Sequence, residues 1–211
     1  MKISKVQAQA NRDRIVETAS VLFRERGYDG IGVADLMSAA GFTHGGFYRQ
    51  FESKADLMAQ AATVGLAQTL GRIQQAKGTD YIQQYLSRAH RDGPGAGCTL
   101  AALGADAARQ PEQVKAAFAQ GLEETLASLM REDKAKGAPA LHEARARLLG
   151  TLAQLVGAIV LSRACPDDSP LADEILKACR AALVPKPGAR AGAKSSARTD
   201  RDGKAAVPRT R

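Results

Sequence analysis

Between Gly41 and Lys54 the chain reads Gly-Phe-Thr-His-Gly-Gly-Phe-Tyr-Arg-Gln-Phe-Glu-Ser-Lys, and it is densest there in groups that recognise other molecules. Thr43, His44, Tyr48, Arg49, Gln50 and Lys54 surround the pair Gly45-Gly46. The spacing predicts a very short helix from Thr43 or His44 to about Gln50, with a turn on each side. A helix of that length does not persist alone in water, so its neighbours must brace it. A small braced polar helix is what the DNA major groove admits. His44 falls in the first turn, where its ring nitrogens can reach N7 or O6 of guanine. Gly45 and Gly46 let the backbone approach bases or a thymine methyl, at about 1 kcal/mol each relative to alanine. Thr43 can cap the helix or donate to a phosphate, Tyr48 has the reach of a phosphate, and Arg49 and Gln50 could meet a base edge or the backbone. Lys54 opens the next helix against the dipole preference, which an adjacent phosphate would explain.

The bracing must come from elements on either side. Ile15, Ala19, Leu22 and Phe23 recur at helical spacing from about Gln9 to the stop at Gly27. Tyr28-Asp29-Gly30 is a turn, and Val33 to Ala40 is a second helix closed by Gly41. Phe42, Phe47 and Phe51 are placed to pack the short helix on Leu22, Phe23 and Leu36. Ser53, with Asp56 three residues on, is a variant capping box for a helix through Leu57, Ala61 and Val64. A helix, a glycine turn and a short second helix have helix-turn-helix spacing.

Beyond residue 65 the chain is rich in Ala, Leu and Gln and shows no strand pattern. One amphipathic stripe (Tyr81, Ile82, Tyr85, Leu86) runs to a loop, Asp92 to Gly97. Cys98 to Ala108 reads as a short helix. Pro111 suits the first turn of a longer one, which carries Val114, Phe118, Leu122, Leu126 and Leu129 to a break at Lys134–Gly137. Leu141 to Arg163 is apolar on most faces in its second half, so burial nearly all round is expected. Ser169-Pro170 opens a last helix ending near Leu183. The expected fold is all-α: a helix-turn-helix domain over 1–54, a helical domain over 55–184, and a basic tail over 185–211 whose composition predicts disorder.

The formal charge of +8 would suggest a polyanionic partner, yet eight Lys/Arg against two Asp lie in residues 185–211. The rest is nearly neutral, so charge says little about nucleic acid. No run is expected to reach the apolar length of a membrane span. The polar N-terminus predicts a cytoplasmic protein without membrane association. Cys98, Cys165 and Cys179 form neither a metal-ligand spacing nor an even disulfide set, and fit a reducing compartment. No metal or cofactor is expected.

The ordered residues from Arg12 to about Val64 resemble the TetR family of bacterial transcriptional regulators. The resemblance rests on Leu22-Phe23-Arg24-Glu25-Arg26-Gly27-Tyr28, then Val33-Ala34-Asp35-Leu36 with Ala39-Ala40-Gly41, Phe47-Tyr48 with Phe51, and Ser53-Lys54 with Leu57. Residues 65–184 resemble the family only in helical architecture. The resemblance implies DNA contacts from Thr43, His44, Gly45, Gly46, Tyr48, Arg49 and Lys54, with Tyr48 and Lys54 on phosphates. One departure is Gly32, where many members place a threonine that caps the second helix and touches phosphate. The resemblance also implies a homodimer through the last two helices, about 140–183, on a palindromic double-stranded operator. A small-molecule inducer would enter the second domain and widen the spacing of the two reading helices, as expected of a repressor.

Periodicity offers Tyr81, Tyr85, Cys98, Leu103, Phe118, Leu122 and Leu152 as pocket-lining residues, although plain core explains most of them equally. Cys98 follows a glycine-rich loop at a predicted helix start, where the dipole favours thiolate. It is either a sensor of electrophiles or oxidants or a small buried residue. An enzyme would need Cys98 with His90 or His142, or the pair Glu123-Glu124. No motif orders these groups, and no catalytic residues are expected. A nonspecific nucleic-acid binder relying on the tail predicts steep salt dependence without sequence preference.

Overall fold

The computed structural model describes residues 4–76, 79–130 and 138–184. The tail at 185–211 and the break at Lys134–Gly137 lie outside them. Among the described residues the chain is helical throughout, without strands, as expected.

Helix α1 (Lys5–Arg26) starts earlier than its apolar periodicity suggests, because Ser4 caps it by accepting from the Gln7 amide at 3.1 Å. Helix α2 (Val33–Ala39) begins at Gly32, which makes no side-chain cap bond. It ends in a Schellman turn: the Phe42 amide bonds the Met37 carbonyl at 2.8 Å, and the Gly41 amide bonds the Ser38 carbonyl at 3.0 Å. This closure needs a left-handed residue, and Gly41 supplies it at φ 83°. The turn aims the chain into a 3₁₀ helix, His44–Arg49. Helix α3 (Lys54–Gln75) then runs unbroken, its Ser53 cap accepting from the Asp56 amide at 3.1 Å.

The predicted stripe at Tyr81–Leu86 falls on a short helix, α4 (Asp80–Tyr85), and a second one, α5 (Arg88–Asp92), follows it before a glycine turn through 94–96. Ser87 separates them: its hydroxyl caps α5 by accepting from the His90 amide at 3.2 Å. Helices α6 (Thr99–Ala107), α7 (Glu112–Leu129), α8 (Ala138–Arg163) and α9 (Pro170–Leu183) complete the order.

Two apolar clusters hold these elements. The first joins Ile15, Phe23, Tyr28, Leu36, Phe47, Phe51 and Leu57 to Leu103, Val114 and Phe118, so α6 and α7 share a core with the helix-turn-helix. The second joins Tyr85, Leu86 and Cys98 to Leu155, Ile159 and Leu176. Buried Arg91 ties α5 to the α8–α9 turn, donating to the carbonyls of Ser162 at 3.1 Å and Cys165 at 3.0 Å.

Helix α8 corrects two expectations. Pro139–Arg163 spans 25 residues and includes a stretch of mean hydropathy 1.4, so by length and composition it could cross a bilayer. The charged residues near its start (Glu143, Arg145, Arg147) disguise the length of the apolar remainder. Nor is it buried nearly all round within one chain. Leu155, Ala158 and Ile159 are buried, while Leu149, Val160 and Leu161 are 44%, 41% and 59% exposed. One face is covered by its own chain and another is not.

Candidate functional site

The Schellman turn and the Phe47–Phe51 stack, with ring centroids 5.4 Å apart, set the 3₁₀ helix on the protein surface. Phe47 is fully buried beneath it, and the Arg12 guanidinium lies 4.4 Å from the centre of the Phe51 ring. Held this way, Thr43, His44, Gly45, Tyr48 and Arg49 are all exposed, Tyr48 by 72%. The Thr43 side chain makes no cap bond, so its hydroxyl is uncommitted. A Cβ at Gly45 would meet nothing within 4 Å, which leaves open space above that backbone. Gly46 is half-buried, and a Cβ there would sit 3.6 Å from Met37 Cε. Gln50 is also half-buried. The exposed set therefore groups a hydroxyl, an imidazole, bare backbone, a phenol and a guanidinium on one short element.

Lys54 is placed differently from the rest. It is half-buried, and its Nζ donates to the Tyr28 carbonyl at 2.6 Å. The Tyr28 amide faces Asp106 Oδ2 of α6 at 3.4 Å. Lys54 and Asp106 thus hold the two sides of one backbone residue.

At the other end of α6 lies a half-open cavity of about 820 Å³. Its wall comes from the end of α3, from α4 and α5, from the glycine turn with Cys98, and from Arg180 of α9. Of the seven residues offered by periodicity, Tyr81, Tyr85 and Cys98 line it. Leu103 and Phe118 are instead buried in the first apolar cluster, and Leu122 and Leu152 lie half-buried on α7 and α8 away from the wall. Of the charged and imidazole lining, His90 was considered in sequence only as a partner for Cys98, and Arg72 and Arg180 were not picked out. Nothing in hydrophobic periodicity marks a basic residue as facing inward.

His90 spends both ring nitrogens on backbone. Nε2 accepts from the Cys98 amide at 2.9 Å, so the ring proton sits on Nδ1 and is donated to the Tyr85 carbonyl at 2.7 Å. Burial pushes the His90 pKa down, the Tyr85 carbonyl opposes this, and Arg163 and Arg72 add to the fall. A neutral ring fully engaged in this way cannot also serve as a base for the Cys98 thiol. Glu123 is paired with Arg145 at 2.6 Å on an exposed face. Burial, followed by the neighbouring Cys98, pushes the Tyr85 phenol well above its ordinary range, so it remains an O–H donor.

Buried Arg24 on α1 links the cavity wall to the first apolar cluster's N-terminal helices. Its Nε donates to the Gly95 carbonyl at 2.8 Å and its Nη1 to Ser20 Oγ at 2.7 Å.

Residues 15–61 match the family model for bacterial regulatory proteins of the tetR family. That match makes residues 15–61 a DNA-binding segment of the TetR type, set in an all-helical fold. No curated protein matches it. Among solved structures, the reduced form of E. coli NemR is 23% identical, with a TM-score of 0.60, over 82% of this chain and 94% of that one. TetR-family regulators from Agrobacterium tumefaciens and Cytophaga hutchinsonii are each 19% identical with TM-scores of 0.61. They cover 82% and 85% of this chain, and 95% of each of those chains. At such identities the likeness is one of fold.

Proposed function

We propose that the protein is a homodimeric cytoplasmic repressor that binds a palindromic operator and releases it when a small molecule enters the cavity beside Cys98. In this reading residues 1–54 read DNA, 55–184 bind ligand and dimerise, and 185–211 form a basic tail. The observation that carries it is the span of α6. Its first turn adjoins Cys98 and the cavity, and its last turn brings Asp106 to Tyr28 of the reading domain. A ligand that binds one setting of α6 better than another shifts the population of reading-competent dimers by that difference in affinity, and by no more.

On the DNA side, His44 and the bare backbone at Gly45-Gly46 face bases, while Thr43, Tyr48 and Arg49 position the helix on phosphates or base edges. Lys54 acts first through Tyr28. A two-fold dimer places its half-sites about one DNA turn apart or slightly more. Fragments selected from random duplex by the purified protein give the operator. On it, His44→Ala is expected to cost about 1–3 kcal/mol while random duplex is bound nearly as before. Equal loss on both would remove the base-reading role.

A second reading concerns Cys98, because it lies on the cavity wall where an entering electrophile would meet it. If thiol modification is the signal, alkylation confirmed at Cys98 by mass spectrometry releases the operator. Unchanged binding after that modification leaves Cys98 as packing.

A further inference from the structure

We propose that the cavity is built for an anion: a small carboxylate whose charge is met by Arg72 and Arg180 and whose flat body lies against Tyr81 and Tyr85. This rests on reading the cavity as the ligand site, and it names the chemistry of the ligand. The wall contains two guanidinium groups and no Asp or Glu. Among the described residues neither arginine has a carboxylate within 4.0 Å, whereas Arg88, Arg91, Arg109 and Arg145 each have one. The hydrogen bonds made by the two wall arginines go to neutral oxygens. Arg72 Nη2 donates to Thr69 Oγ1 at 3.2 Å and to the Gly97 carbonyl at 3.0 Å, and Arg180 Nη2 donates to the Leu86 carbonyl.

Two donors of the wall are left over. Arg180 Nε is buried without a partner, and the Tyr85 hydroxyl has only the Cys98 thiol, a weak acceptor, beside it. A buried donor with no acceptor loses its hydration without a replacement bond, so such groups in a native wall call for an explanation. An acceptor brought by a ligand supplies one, and a charged acceptor answers the arginines as well. A carboxylate matches the planar guanidinium fork. The Cys98 amide at the N-cap of α6 is already given to His90, so the charge on a ligand falls to the two guanidinium groups. The Tyr81 and Tyr85 rings, with centroids 5.6 Å apart, form an aromatic wall beside these charges.

The test uses the full chain and calorimetry, with benzoate and 3-phenylpropionate as probes, each against its uncharged amide. At least one carboxylate is expected to bind about tenfold tighter than its amide. Arg72→Gln and Arg180→Gln should each shrink that preference. Tyr85→Phe should weaken carboxylate binding severalfold while leaving the unfolding midpoint unchanged or higher, which deletion of a structural hydroxyl would not do. Arg72→Gln alters an exposed side chain and keeps the test open if Arg180→Gln does not fold. The proposal is overturned if neither carboxylate binds, if neither outbinds its amide, or if the preference survives the arginine substitutions. A carboxylate that binds here yet leaves the operator occupied would instead count against the release mechanism, with the anion site intact.

Discussion

Lys54 shows how far a single residue can be understood from its position in the chain. Its place in the first turn of a helix calls for a compensating acceptor, and sequence suggested a phosphate. The acceptor within reach is the Tyr28 carbonyl, 26 positions earlier, and no local pattern could have indicated it. Lys54→Gln is therefore expected to lower folding stability by roughly 1–2 kcal/mol, as loss of a charge-assisted hydrogen bond does. Denaturant unfolding checks this, and an unchanged midpoint with weakened DNA binding would return Lys54 to a phosphate role alone. The aromatic residues were easier to read. Phe47 and Phe51 recur at a spacing that puts both on one helical face, and both are buried. Arg72 and Arg180 were not legible, because hydrophobic periodicity gives no sign of which polar side chains border a cavity.

At the scale of elements, terminators were the most legible features. Gly27, Gly41, Ser53 and Pro170 each mark an end or a start through local chemistry that needs no tertiary partner. The separate helix α5 was missed because Arg88 to Asp92 carries no apolar stripe of its own, although the Ser87 hydroxyl caps its start. A crossing of three helices is also invisible to periodicity. At Gly65, α3 passes so close to α1 and α6 that an added Cβ would collide with Ser20, Arg24 and Thr99. Gly to Ala inside a helix ordinarily stabilises by about 1 kcal/mol. Here Gly65→Ala should instead destabilise by about 1–3 kcal/mol through overpacking. Thermal melts decide the sign, and a raised melting temperature would show that the crossing has slack.

At the scale of the whole molecule, composition misleads in both directions. The net charge of +8 lies mostly beyond residue 184, so it neither argues for the reading surface nor describes it. The apolar length of α8 could pass for a membrane span, yet one of its faces is already packed on Leu176 and Tyr85. The uncovered residues Leu149, Val160 and Leu161, with Leu171 of α9, form the surface proposed for a second copy of the chain. Leu161→Glu should leave the fold of the single chain intact and produce monomers by light scattering. Operator affinity should then fall by about 10²-fold or more as avidity is lost. A variant that stays dimeric would move the interface elsewhere.

The bond from Arg24 to the Gly95 carbonyl means that part of the cavity wall hangs from the reading domain's own first helix. Thermodynamic linkage makes any coupling through such a wall reciprocal. Operator DNA would then act as a competitor of the ligand without sharing its site. The dose of ligand needed for release would depend on how many operators are present, and free protein would be the better receptor.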